Sequence, residues 1–239
     1  TTSAMTPNSH SFRIYKIPFD NLRSSFCLIR DIQSSDFAVN AFSPSSSFWS
    51  WSTSIVDRNV DVAILCHISN FRPVKRTEDV IRIFAKVRAQ KDCKLMLVGD
   101  GPDRYACERL CRELHLCNDV IFLGKVRDTN HVLGIVDVFL LPSETESFGL
   151  AALEAMAVGV PVVSSNTGGI PEVNAHGVSG YLADVGQTDQ MAAYVLQILD
   201  PQHFSTMKAG ALETSKKFSL LEILPQYEEL YRKLVQKKA

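Results

Sequence analysis

The sequence predicts an α/β fold: a doubly wound parallel sheet with a short irregular amino-terminal segment before it. From Asp61 onward, short aliphatic and β-branched runs alternate with longer segments of helical period. The short runs are apolar throughout, which is typical of parallel strands that helices cover on both faces. Because crossovers between such strands are right-handed, the domain is expected to bind its ligand at the carboxyl ends of the strands.

Apolar runs predict the strands. They are "DVAILCHI" (61–68), "KLMLVG" (94–99), "DVIFLG" (119–124), "VDVFLLP" (136–142) and "VPVVSS" (160–165). The segments between them carry apolar residues at three-to-four spacing, which predicts helices. These helices cover 76–90, 104–116, 129–136 and 148–159, and Gly159 stands in the position that ends the last one.

Two further helices are predicted in the tail, over 187–200 and 219–238. In the second, Ser219 and Glu222 form a capping-box pair, and Pro225 is expected to kink or restart the helix. No internal repeat is evident along the chain.

The amino-terminal part differs in composition from the rest. All 12 glycines lie at or after Gly99, and the stretch 42–54 is rich in serine, which suggests a linker or an irregular loop. We therefore expect a truncated or irregular segment over 1–57 and a ligand-binding domain over 58–239.

Composition limits the class of partner. The chain has 239 residues, of which 46% are hydrophobic, and a formal net charge of −1. Runs of like charge are short, so neither a nucleic acid nor a charged membrane surface is the expected partner. No stretch approaches the roughly 18 to 20 apolar residues of a membrane span, and the start lacks the apolar core of a signal peptide. A small molecule or a protein is the expected partner.

Cysteine and histidine usage indicates the compartment and the cofactor class. The cysteines are Cys27, Cys66, Cys93, Cys107, Cys111 and Cys117. No two form a C-x-x-C pair and most sit in strand-like or helix-like patterns, as buried free thiols do, so a cytoplasmic compartment is expected. Because the histidines are scattered and no D-x-D or H-E-x-x-H pattern occurs, we expect no metal and no other cofactor.

The segment "SETESFGLAALEAMA" follows the strand at 136–142 and carries two glutamates eight residues apart, Glu146 and Glu154. A helix that begins here would direct unpaired amides and its dipole at an anion such as a diphosphate. The amides concerned are those of Ser147, Phe148, Gly149 and Leu150. The alternative is structural: Ser143 and Glu146 would form a capping box, and Glu154 would be a solvated helix residue.

Two other strand ends carry candidate ligand groups. Gly168 and Gly169 follow the strand at 160–165 and permit close approach of backbone to a ligand, although an ordinary strand-to-helix turn is the alternative. In "HISNFRPVKR", the cations of Arg72, Lys75 and Arg76 could neutralise a diphosphate, although a solvated basic loop would look the same. Together with the facing helix terminus, these loops favour an anion site.

A dinucleotide site is the competing interpretation of "LMLVGDGPDR". The G-x-G-x-x-G pattern requires glycine where Arg104 stands, so an oxidoreductase that uses a dinucleotide is disfavoured. His67, at the end of a strand, is interpreted as a core residue rather than a catalytic one.

These motifs together resemble a known family. Residues 61–238 are similar to the carboxyl-terminal, donor-binding domain of the group 1 retaining glycosyltransferases, which have the two-domain GT-B fold built of Rossmann-like domains. The segments "HISNFRPVKRTEDVI", "LMLVGDGPD", "SETESFGLAALEAMAVGVPVV" and "GGIPEV" look most like the N-acetylglucosaminyl L-malate synthases of bacillithiol biosynthesis.

The resemblance implies a UDP-sugar donor, most of all UDP-N-acetylglucosamine, with retention of configuration and a small hydroxy acid such as L-malate as acceptor. It implies that Glu146 contacts the transferred sugar and Glu154 the ribose, while Lys75 and the amides of 147–150 hold the diphosphate. Gly168 and Gly169 belong to the same implied substrate site. The backbone around Lys125 and Val126 would face the uracil. Arg72 would compensate for Asn70, which stands where many relatives have arginine.

The resemblance also implies a missing part. The family has an amino-terminal acceptor domain of comparable size, whereas only about 57 residues precede the donor domain here, and 29–45 resemble that domain's last strand. The isolated chain is therefore expected to turn over weakly, with an acceptor-domain partner or a homo-oligomer as the expected assembly. A noncatalytic nucleotide-sugar-binding or interaction module is the alternative.

Overall fold

The fold is a parallel sheet with helices on both faces. The structure, a computed structural model, describes residues 62–236, and the predicted segment at 1–57 with its boundary lies outside them. The strands are β1 (Ala63–Ser69), β2 (Cys93–Gly99), β3 (Val120–Gly124), β4 (Val138–Leu141), β5 (Val162–Ser165) and β6 (Gly180–Ala183). They form one parallel sheet in the order β3-β2-β1-β4-β5-β6, which is the doubly wound topology that the sequence predicts.

Helices connect the strands and extend the chain beyond the sheet. They are α1 (Thr77–Arg88), α2 (Arg104–Glu113), α3 (Asn130–Leu133), α4 (Leu150–Ala157), α5 (Ile170–Val173), α6 (Thr188–Ile198), α7 (Pro201–Lys216) and α8 (Leu220–Gln236). A single 3-10 turn, Pro73–Lys75, precedes α1.

Strand residues alternate between two apolar layers. Leu65 and Leu95 belong to the layer under α1, α2 and α6, whereas Cys66 and Met96 belong to the layer under α3, α4 and α5. Because both faces are covered, the strands are apolar throughout, as parallel strands of this class are. The fold class predicted from the sequence is therefore confirmed.

The end of α4 follows the predicted pattern. Gly159 has φ +78°, its amide donates to the carbonyl of Met156, and the amide of Val160 donates to the carbonyl of Ala155. These two bonds form a Schellman motif, which requires a left-handed residue and therefore favours glycine.

Two elements escape the sequence prediction, β6 and α7. β6 begins with Gly180, a weak strand former, because a Cβ there would lie 1.8 Å from the carbonyl oxygen of Val162. α7 contains Gly210 for the same reason, since its Cβ would lie 2.0 Å from the carbonyl oxygen of Val178. In both cases packing against a distant carbonyl requires glycine. The low strand or helix propensity of glycine therefore gives a wrong indication of the element that forms.

The final helix departs from expectation in one respect. α8 begins after Ser219 as predicted, and it continues from Leu220 to Gln236 with Pro225 inside, so of the two predicted effects of Pro225 the restart is wrong and the kink stays a prediction. The proline lacks an N–H, so it forgoes only the helical bond to the carbonyl of Leu221. α8 exposes large apolar side chains: Leu221, Leu224, Tyr227, Leu230, Tyr231, Leu234 and Val235.

The cysteines within the described residues are free thiols. Cys66, Cys93, Cys107 and Cys111 are buried, and Cys117 is exposed. Burial raises the pKa of the Cys111 thiol to about 11, so it stays protonated near neutral pH. Between residues 62 and 236, no helix is long and apolar enough to cross a bilayer.

A buried histidine ties β1 to β4, where the chain changes from one half of the sheet to the other. His67 Nδ1 donates to the carbonyl of Leu140 at 2.8 Å, and Nε2 accepts from the hydroxyl of Ser69 at 2.8 Å. Burial lowers the pKa of His67 to about 4, so the ring is neutral near pH 7. The structure thus agrees with the interpretation of His67 as a core residue.

An ion-pair cluster links β2, α1 and the residue that precedes β3. The Asp119 carboxylate lies 2.5 Å from Lys94 Nζ on β2 and 3.1 Å from Arg88 Nε on α1. Burial alone would raise the pKa of this carboxyl, but the hydrogen bonds and charges of Lys94 and Arg88 outweigh burial and lower it.

We predict that Asp119→Asn lowers the free energy of unfolding by about 1 to 3 kcal/mol at pH 7, the usual cost of losing a charged hydrogen-bond partner. Because the folded-state pKa is depressed, this contribution is present above the unfolded pKa of about 3.9 and disappears as the pH falls through the folded value. Urea denaturation at pH 7 and pH 3 measures it, with the exposed Asp184→Asn as the matched control. A wild-type advantage that persists undiminished at pH 3 would contradict the assignment.

Candidate functional site

Three loops meet at the carboxyl edge of the sheet, after β1, β4 and β5. The amide of Glu144 donates to the carbonyl of Val74 at 2.8 Å, which joins the first loop to the second. The amide of Gly169 donates to the carbonyl of Glu146 at 3.0 Å, and Thr167 Oγ1 donates to the carbonyl of Glu144 at 3.2 Å. The loops therefore form one hydrogen-bonded unit at the point where open α/β sheets bind ligands.

An ion pair lies at the centre of this unit. Lys75 Nζ is 2.5 Å from Glu146 Oε2, although the two residues are 71 positions apart in the chain. Their side chains are only 22% and 15% exposed. Because the pair is mostly buried, salt screens it less than it screens a surface pair.

The other cations of the first loop have different surroundings. Arg76 has φ +50° and turns the chain into α1, where its guanidinium pairs with the Asp79 carboxylate at 2.6 Å. Arg72 is exposed just before the 3-10 turn, and its carbonyl accepts from the amide of Lys75. Of the cations predicted for an anion site, Lys75 is the one that meets Glu146.

We call residues 142–149, which follow β4, the glutamate loop. This loop is too long for a capping box of Ser143 and Glu146 at the start of α4. α4 begins at Leu150 with Gly149 at its N-cap in a left-handed conformation, φ +85°. Ser143 lies well before the helix, and its buried hydroxyl has no hydrogen-bond partner among residues 62–236. The capping-box alternative for Ser143 and Glu146 is therefore wrong, because bonds to the neighbouring loops determine the path of the chain here.

The helix predicted over 148–159 begins only at Leu150, so Gly149 and Leu150 lie at its terminus, whereas Ser147 and Phe148 precede it. Ser147 and Leu150 are exposed, and Glu154 follows on α4, half-buried, one turn after Leu150. Phe148 packs edge-on against Phe218, with ring centroids 5.8 Å apart. Phe218 lies between α7 and α8, and the sequence motifs give no sign of this contact.

Gly168 and Gly169 pack against the glutamate loop. A Cβ on Gly168, which has φ +56°, would lie 1.9 Å from the carbonyl oxygen of Glu146. A Cβ on Gly169 would lie 2.3 Å from the carbonyl oxygen of Ser147. The structure thus provides a packing reason for both glycines, while their contact with a ligand stays a prediction.

The glycines of "LVGDGPD" have a similar packing reason. A Cβ on Gly99 would lie 1.7 Å from the carbonyl oxygen of Ser69, and one on Gly101 would lie 1.9 Å from that of Asn70. These glycines let the loop after β2 pack against the loop after β1, so their spacing has a cause other than a dinucleotide.

Lys125 and Val126 follow β3, at the same carboxyl edge of the sheet. Val126 is half-buried and packs against the apolar core, and Lys125 beside it is exposed.

Across 62–236, no group of three or more His, Cys, Asp or Glu residues is arranged to hold a metal ion. The charged side chains that meet at this edge are those of Lys75 and Glu146.

A family model described as "Glycosyl transferases group 1" matches residues 54–213, well over half of the chain. The chain belongs to the group 1 glycosyl transferases. The match includes all three loops of the candidate site and confirms the family resemblance drawn from the sequence.

Similar proteins agree with this assignment. N-acetyl-alpha-D-glucosaminyl L-malate synthase of Bacillus anthracis is 46% identical over 170 residues, which are 70% of this chain and 45% of that protein. 2-Deoxystreptamine N-acetyl-D-glucosaminyltransferase of Niallia circulans is 33% identical over 153 residues, 62% of this chain and 39% of that protein. The chain thus spans about half the length, or less, of the curated relatives it matches.

A solved structure has the same fold. Anabaena HepE in complex with UDP superposes with a TM-score of 0.70 at 27% identity, over 80% of this chain and 54% of that one. Its agreement with the present sheet confirms a Rossmann-like domain of the GT-B class. The roles of single residues in this chain stay predictions.

We predict that Gly168→Ala destabilises the domain more than Gly177→Ala. Both positions are left-handed, at φ +56° and φ +76°, but a Cβ on Gly177 meets nothing within 4 Å. The two variants share a conformational cost of about 1 to 2 kcal/mol. Gly168→Ala adds the displacement of the Glu146 carbonyl, an overpacking cost of about 1 to 3 kcal/mol.

Urea denaturation of both variants measures the difference, and hydrogen exchange of residues 144–149 locates it. Equal losses of stability in the two variants would show that only the φ angle matters and that the packing argument is wrong.

Proposed function

We propose that the three-loop unit is the donor site of a retaining glycosyltransferase that takes a UDP-sugar, UDP-N-acetylglucosamine in particular. The observation that carries the proposal is the Lys75–Glu146 pair at the carboxyl edge of the sheet, beside the amino terminus of α4. A cation and free helix amides suit a diphosphate, and a carboxylate beside them suits sugar hydroxyls. A relative named as an N-acetyl-D-glucosaminyltransferase and a neighbour with bound UDP support the choice of ligand.

In this proposal each group has one task. Lys75 and the amides of 147–150 hold the diphosphate and stabilise the negative charge that develops as it leaves. Glu146 contacts the transferred sugar, Glu154 binds the ribose hydroxyls, and the backbone at Val126 faces the uracil. Gly168 and Gly169 complete the wall on the sugar side, and Arg72 adds a cation at the rim.

The proposed reaction depends chiefly on stabilisation of the charges that develop as the bond breaks, rather than on a metal or another cofactor. Cleavage of the bond between the sugar and the phosphate produces an oxocarbenium-like centre and a diphosphate. A fixed cation and oriented amides lower the energy of that charge separation. The proposal therefore includes neither a metal nor another cofactor.

The acceptor is proposed to be a small hydroxy acid such as L-malate, by analogy with the relative that is 46% identical. The acceptor side is proposed to come from an acceptor-domain partner or from a second copy. The apolar face of α8 supports an association surface, since Leu224, Tyr231 and Leu234 are among its exposed side chains. The proposal puts the reaction in the cytoplasm, and the buried free thiols support a reducing compartment.

We predict that Lys75→Ala weakens binding of UDP-N-acetylglucosamine by about 1 to 3 kcal/mol, because the diphosphate loses a charged hydrogen-bond partner. Calorimetric titration of the chain with UDP-N-acetylglucosamine, UDP, UDP-glucose and NAD measures this. The matched control is Lys91→Ala, which removes a lysine just before β2, at the opposite edge of the sheet.

Two results would contradict the proposal. An unchanged dissociation constant in Lys75→Ala would remove that residue from the site. Binding of NAD in preference to the UDP ligands would replace the glycosyltransferase assignment of the site with the dinucleotide interpretation.

A further inference from the structure

The carboxylate of Glu146 pairs with the cation that is proposed to hold the diphosphate. Glu146 Oε2 is 2.5 Å from Lys75 Nζ, the cation proposed to hold the diphosphate. Any phosphate that contacts this ammonium therefore comes within a few ångströms of a negative charge. In a half-buried site that repulsion is only weakly screened.

The backbone on both sides of the pair is fixed, so the carboxylate can move away from such a phosphate only by rotation of its own side chain. Its own carbonyl is held by the amide of Gly169, and Gly168 leaves no space for that carbonyl to move toward the β5 loop. The amide of Glu144, two residues earlier, donates to the carbonyl of Val74 in the loop after β1, which carries Lys75. Lys75 and Glu146 are therefore anchored to each other through backbone as well as through their charges.

The two ligands that this site meets differ in charge at this position. In a UDP-sugar the outer phosphate is a diester with one negative charge, and the sugar covers its far side. In UDP that phosphate is a monoester whose second pKa is near 6, so it carries about −1.5 to −2 near neutral pH. The carboxylate thus repels UDP more than it repels the intact donor, and it can accept hydrogen bonds from sugar hydroxyls only in the donor.

We infer that Glu146 is a specificity-determining residue, which makes the site prefer the sugar-bearing donor over the nucleoside diphosphate. The inference rests on the proposed function and deepens it. Lys75 attracts both ligands, and Glu146 subtracts from the attraction in proportion to the charge on the outer phosphate. In a complete transferase this arrangement also speeds release of the diphosphate once the sugar has left.

Calorimetric titration of the full chain with UDP and with UDP-N-acetylglucosamine tests the inference. In Glu146→Gln, UDP is expected to bind at least about fivefold more tightly than in wild type, because one repulsive charge is removed. UDP-N-acetylglucosamine is expected to bind no more tightly. Glu146→Asp keeps the charge and is expected to keep the wild-type preference.

The matched control is Glu144→Gln, which makes the same charge change on an exposed side chain of the same loop. It is expected to leave the ratio of the two affinities unchanged, and a melting curve for each variant verifies folding. Equal changes for both ligands in Glu146→Gln, or weaker binding of UDP, would overturn the inference while leaving the donor site intact. Failure of the folded wild-type chain to bind either ligand would instead overturn the proposed function, and the inference with it.

Discussion

Backbone hydrogen bonds between the loops after β1, β4 and β5 are the constraint on which the candidate site depends. The bonds from Glu144 to Val74 and from Gly169 to Glu146 connect segments that are distant in sequence but adjacent at the edge of the sheet. Each loop leaves a strand whose residues are mostly buried, so its starting point is fixed by the core. The loops that carry Lys75 and Glu146 are therefore held together at this edge, and substitutions in the loop backbone should act on both charges together.

Glycine at this edge serves the packing of one backbone on another. Gly99, Gly101 and Gly168 each face a carbonyl oxygen of a neighbouring loop at a distance that excludes a Cβ. A glycine-bearing loop after a parallel strand is commonly interpreted as a phosphate contact, and here the same residues have a sufficient reason without any ligand. The glycines alone therefore do not indicate a ligand, and the proposed donor site depends on the charges of Lys75 and Glu146 and on the amides at the start of α4.

The sequence predicts most of the fold because the information is local. Runs such as 94–99 and 160–165 are apolar on both faces, and that pattern is specific to buried parallel strands. β6 and α7 are missed because Gly180 and Gly210 are dictated by contacts with distant carbonyls.

The sequence predicts which residues of the site lie at this edge of the sheet, but it predicts the contacts between them less well. Topology places Lys75 and Glu146 at one edge, but their contact depends on the 3-10 turn and on the left-handed Arg76, which no motif reveals. The capping box fails for a related reason. Ser143 and Glu146 have the right spacing, yet α4 begins only at Leu150, because the intervening chain bonds to other loops instead of its own helix.

The Lys75–Glu146 pair is difficult to explain by stability alone. A half-buried ion pair loses much of its Coulomb energy to desolvation, and apolar residues of similar volume often stabilise such a position as well or better. Each of the two charges has the other as its partner, so this edge of the sheet folds without an unpaired ion at a mostly buried position. In the donor site proposed above, an anionic ligand would compete with Glu146 for Lys75 and would bring a second negative charge beside the carboxylate. The pair is thus better explained by the ligand chemistry proposed for this edge than by its contribution to folding.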